Sequence, residues 1–275
     1  MSSFLQHLSY GPDSMSCANH NGQSNLPFGL PRKNILTRAL LNIQQFASTS
    51  LDVRIDLPTN GEVRMRNLVH RGAQRPVSKA TSIKLDRVVH CESVLEHEAF
   101  LLLEVSPSVH AFSEQPVRIR YMQENEWRSH IPDFVMIMGD RITFVEVKFS
   151  KDVDELVNAR TRLMKKILNR FGVDYRLVTE DELRKGVYVQ NAMRILRRAR
   201  HAINDVQLLA SLERLRSVDR LPLAAFGWSV AESTPAIGIA KLIMSGHAAI
   251  DENILLSDWS YVWVTKGSQN AGGVV

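Results

Sequence analysis

The sequence predicts an α/β protein: a mixed sheet flanked by helices, followed by a smaller α+β domain at the C-terminus. Three observations predict it. Residues 92–185 alternate between helical and strand periodicity. Within them, two strand-like runs, 133–138 and 141–149, meet at Gly139-Asp140, a two-residue turn signal. Beyond residue 200 strand signals disappear until a short pair of runs near the end.

Taken in order, residues 1–35 are rich in Ser, Asn, Gly and Pro without periodicity, and residues 36–47 can form a short helix. Together, 1–50 read as a flexible arm. A larger domain is expected over 51–200. Its first part, 54–90, is basic and carries no clear strand. In 92–104, Leu95, Ala99 and Leu102 make one helical stripe with Phe100 and Leu103 beside it. A strand-like stretch at 109–121 contains Pro116, which places it at an edge or bend. After the 133–149 pair, a helix is expected at 154–171, stopped by Gly172, then a strand at 174–179. Thr179 and Glu182 make a capping box for a short helix, and 188–200 form a basic helix leading out. In 201–275, helices at 203–216, near 221–227 and at 235–245 precede short strands at 247–251 and 258–264. Three helices followed by a hairpin is a winged-helix-like order.

The chain has 275 residues, 44 % of them hydrophobic, enough for a real core. It contains no apolar run of 18 residues, so no membrane span or membrane partner is expected. The N-terminus lacks a secretory pattern. Two cysteines, with no CxxC or HxxxH spacing, argue against a disulfide framework or a zinc site. A cytoplasmic protein is expected. The net charge is +5, and residues 54–90 alone hold eight basic against three acidic residues, an equal excess. A segment so poor in acids suits a polyanionic partner.

The chemistry is placed by the 133–149 hairpin. A type II′ turn at Gly139-Asp140 pairs Met138 with Arg141, which sets Asp133 opposite Glu146. Opposed carboxylates repel on a shared sheet face, and a divalent cation between them removes the conflict. Lys148, two residues past Glu146, falls on the same face. Two acids and an ammonium suit metal-assisted attack on a phosphodiester. The register depends on the two-residue turn, because a slip of one residue flips the faces. Glu96 has a purely structural explanation, since Ser93 to Glu96 form a capping box.

The string ESVLEHEAFLLLEVSPSVHAFSEQPVRIRY, then HIPDF and FVEVK, resembles the TnsA-type transposon-end endonuclease subunit. The resemblance covers roughly residues 70–200, including HRGAQRP and NAMRILRRARHA. It implies a PD-(D/E)XK, restriction-endonuclease-like fold, often followed by a winged-helix domain. Carried over residue by residue, it makes Glu96, Asp133 and Glu146 metal ligands for Mg²⁺, with Mn²⁺ as substitute, and Lys148 the catalytic lysine. Some members carry Gln at the Glu146 position. It implies hydrolytic cleavage of double-stranded DNA at the 5′, non-transferred-strand ends of a transposon. It also implies an integrase-type (TnsB-like) transposase partner and an ATPase regulator (TnsC-like) that contacts the C-terminal part.

Candidate DNA-binding residues are Arg64, Arg66, Arg71, Arg75, Lys79 and Lys84 of the basic segment, with Arg197 and Arg198 of the 188–200 helix. Gln115, in the E-Q-P turn, is expected either behind the acids or facing DNA. Helix 235–245 carries one charge, Lys241, and so favours protein docking over groove reading. Two other classes remain open: a stand-alone restriction or repair nuclease, and a non-catalytic DNA-binding assembly module.

Overall fold

The computed structural model describes residues 33–59, 62–65, 78–231 and 236–265. By its internal contacts the chain divides into two compact units. Of the described residues, those within 33–100 and 109–181 form one unit and those within 101–108 and 182–265 the other. Among the described residues no helix is long and apolar enough to cross a membrane.

In the first unit, helix α1 (Lys33–Ser48) precedes strand β1 (Val53–Asp56). A hairpin of β2 (Ser78–Ser82) and β3 (Arg87–Cys91) leads into helix α2 (Val94–Val105). Then follow β4 (Ala111–Glu114), β5 (Arg118–Gln123), β6 (Glu126–His130), β7 (Phe134–Met138) and β8 (Arg141–Val147). Helix α3 (Glu155–Asn169) connects β8 to β9 (Val173–Val178). Its N-terminus is capped by Asp154, whose side chain accepts from Val157 N.

Four strands form a mixed sheet in the order β4-β7-β8-β9, with β8 and β9 parallel and the other pairs antiparallel. The α3 crossover makes that parallel pair possible. A second, antiparallel sheet has the order β1-β5-β6. The mixed sheet flanked by helices agrees with the expected restriction-endonuclease-like α/β class. Leu36, Leu40 and Ile43 of α1 share a core with Val53, Ile119, Val135, Ile137, Phe144, Met164 and Tyr175. Phe144 and Val145 are adjacent in β8 and both fully buried, so this strand is covered on both faces.

Three features depart from the expectation. The stretch 109–121 is two strands in two different sheets, β4 and β5, separated at Gln115-Pro116, where Gln115 takes φ +41°. Strand β6 has no counterpart in the reading, because EWRSH lies largely exposed and shows no apolar alternation. Glu124 and Asn125, both with positive φ, turn β5 into it. The basic segment also contains β1 and the β2–β3 hairpin, whose strands of four or five residues are too short to stand out by periodicity.

In the second unit lie helices α5 (Tyr188–Ala199), α6 (Asp205–Arg216) and α7 (Ile237–Met244), after the one-turn α4 (Glu180–Leu183) at the division. The stretch near 221–227 is a short strand, β10 (Leu221–Pro222), and a 3-10 turn (Leu223–Phe226) rather than a helix. Strands β11 (Ala248–Ile250) and β12 (Tyr261–Val264) complete an antiparallel sheet, order β10-β12-β11. The fully buried Trp228 is stacked on Arg198, whose guanidinium carbon lies 3.8 Å from the ring centroid.

Candidate active site

Strands β7 and β8 pair from Phe134↔Val145 to Met138↔Arg141, the register that a two-residue turn requires. Gly139 has φ +56°, whereas Asp140 is not among the positive-φ residues, the signature of a type II′ turn. One step beyond the ladder, Asp133 stands opposite Glu146. Asp133 Oδ2 accepts a 2.7 Å hydrogen bond from Val147 N, which pins the carboxylate across the pair. Gln115 N donates to the Asp133 carbonyl at 2.7 Å.

Glu146 is 8 % exposed. Its Oε1 accepts from Arg160 Nη2 of α3 at 3.2 Å, and its Oε2 lies 3.2 Å from His130 Nε2 of β6. That Oε2 is nevertheless buried without a well-formed hydrogen bond. His130 Nε2 also lies 2.8 Å from the Tyr175 hydroxyl of β9, and the two rings meet edge to face. Burial, and then the nearby Glu146 charge, raises the Tyr175 hydroxyl pKa above its ordinary value.

Lys148 is half-buried just past β8, its N–H donating to Val178 O at 3.0 Å. It is two residues beyond Glu146, so strand alternation puts both side chains on one face. The far part of that face is the core, since Phe144 and Ile142 precede Glu146 in the same alternation. The acids therefore sit where a buried face runs out.

That position explains their proton affinities. Asp133 is held well above the usual carboxylate range, first by burial, then by the charges of Glu146 and Glu96. Glu96 is pushed up to about 7, again chiefly by burial, with Glu92 and Glu146 contributing repulsion. The acids of α2, β7 and β8 thus share one electrostatic neighbourhood.

They do not make a ready three-ligand set. Among the described residues no three His, Cys, Asp or Glu side chains are grouped so as to hold a metal ion. Glu96 is turned back onto its own helix start. Its carboxylate accepts from Glu92 N at 2.7 Å and Ser93 Oγ at 3.1 Å, while its N–H donates to Ser93 Oγ at 3.1 Å. The side chain that the resemblance assigns to metal is thus engaged in the capping interaction.

Gln115 is buried, 3 % exposed, with Nε2 donating to Glu92 Oε1 at 2.7 Å. It stands beside the acids, bonded to Glu92 through its side chain and to the Asp133 carbonyl through its N–H. Arg64 is drawn toward the buried Glu114 at 3.5 Å. Lys84 donates to Val109 O at 3.0 Å. Arg198 is buried, donating to Arg194 O at 2.8 Å and to Ser229 O. Arg198 and Gln115 are thus buried, each against a polar or aromatic group of the interior, and Arg64 is half-buried. Lys79 and Arg197 are exposed. Arg66, Arg71 and Arg75 lie outside the described residues.

Sequence reasoning did not assign His130, Arg160, Tyr175 or Glu92. His130 stands within the quoted HIPDF string, three residues before Asp133, and that proximity was the available signal. Arg160 and Tyr175 reach the site only through the packing of α3 and β9.

Comparison with known proteins adds a class to this geometry. Residues 106–180 match the family model of the TnsA-like endonuclease N-terminal domain, a segment that includes Asp133, Glu146 and Lys148. Residues 106–180 are thus similar to the N-terminal domain of TnsA-like endonucleases, which supports a nuclease reading of this segment. Among solved structures it is similar to protein VC1899 from Vibrio cholerae, at 12 % identity and a TM-score of 0.21. That match covers 33 % of this chain and 29 % of the other, so the chain spans less than a third of that protein's length. No curated protein matches the sequence.

Proposed function

We propose that this protein is the Mg²⁺-dependent endonuclease subunit of a heteromeric transposase, hydrolysing the 5′, non-transferred strand at transposon ends. The observation that carries the reading is the opposed Asp133–Glu146 pair, with Lys148 two residues on, inside the segment matched to a TnsA-like endonuclease.

The donors suit a hard cation. Mg²⁺ is bound through one or two carboxylates plus water and substrate phosphate oxygens. Asp133 and Glu146 supply two, and Glu146 Oε2 is a buried oxygen whose 3.2 Å contact with His130 is not a well-formed hydrogen bond. Their mutual repulsion, visible in the raised proton affinity of Asp133, is relieved by positive charge. Glu96 joins them only by giving up its cap. When bound, the cation polarises a phosphoryl oxygen and makes water more acidic.

This chain's own residues do the rest. The Val147 N–H fixes Asp133 through one oxygen and leaves the other as a ligand. Arg160 and His130 hold the two oxygens of Glu146 from opposite elements. Lys148 offsets the negative charge that builds on the phosphorus oxygens and orients the attacking water. In this reading the 5′ cut is made beside a TnsB-like transposase that handles the 3′ ends, and the C-terminal unit docks a TnsC-like ATPase.

Asp133→Ala and Lys148→Ala should each abolish 5′-strand cleavage in a reconstituted excision reaction while the complex still co-purifies. Normal excision with clean 5′ ends in both variants would overturn the assignment. Efficient Mg²⁺-dependent cleavage by the isolated chain would instead make it a self-sufficient nuclease.

A further inference from the structure

The β1-β5-β6 sheet has one face in the core and one in solvent. Val53, Ile55, Ile119 and Tyr121 point inward and are buried. The alternate positions, Arg54, Asp56, Arg118, Arg120, Met122, Trp127 and Ser129, form the outer face. None of the three arginines is buried, and Trp127 is 44 % exposed.

The arginines are not scattered. Arg54 lies directly opposite Arg120, and Asp56 directly opposite Arg118. Like charges directly opposed across a strand pair are destabilising. Among the described residues one acid on this face, Asp56, serves this group, and it is taken by Arg120 at 2.7 Å. The neighbouring acids are engaged elsewhere: Asp52 binds Arg170 at 2.7 Å, and Glu126 binds Arg128 at 2.8 Å. Arg54 lies over the Trp127 ring, its guanidinium carbon 5.3 Å from the centroid. Stacking orders the guanidinium plane and leaves its N–H edge for an oxyanion.

The face is tied to the acids by one strand. Trp127 and Ser129 of β6 point outward, and His130, the next residue, turns inward to Glu146. Three residues of strand separate Trp127 from His130, roughly 10 Å.

We propose that this outer sheet face is a DNA-backbone contact surface, in which Arg54, Arg118 and Arg120 engage phosphates and Trp127 orders Arg54. The face rests on the nuclease reading only for the choice of DNA as its polyanion. Arginine forks suit phosphate geometry, and a group of cations with one acid among them is complementary to a polyanion. None of these residues belongs to the 185–200 helix, and only Arg54 lies in the basic segment singled out by charge.

The test uses the full chain in chelator, with a fluorescein-labelled DNA duplex and an anisotropy titration across a salt series. The Arg54→Ala/Arg118→Ala double variant should bind roughly tenfold more weakly near 0.1 M salt, with a log–log salt slope smaller by about 2. Trp127→Ala should weaken binding less than the double variant does. Unfolding midpoints equal to wild type show that the variants are folded, since both arginines are exposed. An unchanged affinity and slope in the folded double variant overturn the proposal, as does a wild-type chain with no salt-dependent binding. If the double variant keeps DNA affinity but loses association with the transposase, the face is a protein contact and the proposal is equally overturned. Cleavage is scored separately with Mg²⁺ in the reconstituted excision reaction. Wild-type binding through this face without any cleavage defeats the nuclease reading alone, and full cleavage with an undiminished double variant defeats this one alone.

Discussion

Replacing Glu96 with Gln should stabilise the metal-free protein above neutral pH and flatten its pH dependence. Burial and the neighbouring acids lift this carboxyl from 4.5 to about 7 in the folded state. The folded chain therefore keeps a proton that the unfolded chain releases. The stability tied to that proton is fully present below pH 4.5 and is lost as pH rises to 7 and beyond. At about 1.4 kcal/mol per tenfold change, the loss is about 3 kcal/mol at pH 8. Glutamine removes the buried charge and keeps one acceptor oxygen for the helix cap. About 1 kcal/mol of charge-assisted hydrogen bonding to Glu92 N and Ser93 Oγ is forfeited. The net expectation is a gain of about 2 kcal/mol at pH 8, shrinking and reversing toward pH 4.5. Urea unfolding in chelator at pH 4.5, 6, 7 and 8 measures this directly. A wild-type-minus-variant difference that does not change with pH would refute the argument, because the buried charge would then not be what the pH titrates.

Two other perturbations are well defined. Arg87 donates two 2.6 Å hydrogen bonds to Glu114, which is 1 % exposed, so among the described residues Arg87→Met leaves this buried carboxylate the longer Arg64 contact. The expected cost is about 3 kcal/mol, read as a lower urea midpoint at unchanged m-value. Arg160 neutralises, through Oε1, the Glu146 carboxylate that a cation would share. Arg160→Ala should tighten Mn²⁺ binding by about fivefold in calorimetry, corresponding to a partly exposed pair of about 1 kcal/mol. Weaker binding would show that the guanidinium positions Glu146 rather than shielding it.

The hairpin register was legible because it depends on local chemistry. A Gly-Asp dinucleotide-length turn between two apolar runs leaves one sensible pairing, and the pairing alone sets Asp133 against Glu146. The burial of that pair was not legible. Alternation suggested one wet face, but α1 and α3 cover the same face further along, at Ile137 and Phe144. The sheet change at Gln115-Pro116 was half visible: proline marked a bend, but nothing local says that the next strand joins a different sheet. Strand β6 was hidden by its composition, because an exposed edge strand lacks the alternation that periodicity detects. His130, Arg160 and Tyr175 come from β6, α3 and β9, and only the folded packing brings them to one carboxylate. The Ser93–Glu96 capping box, by contrast, was read from the sequence and is formed.

The order β4-β7-β8-β9 leaves β7 and β8 as the interior strands of their sheet. Amide exchange there should be limited by the deepest opening of the unit, so Val145 and Val147 should be among the last to pick up deuterium. The edge strands β4 and β9, each paired on one side, should exchange sooner. Chemistry is thus planted in the slow-exchanging centre, while the exposed β6 edge and the segments around it are where substrate preference has room to evolve.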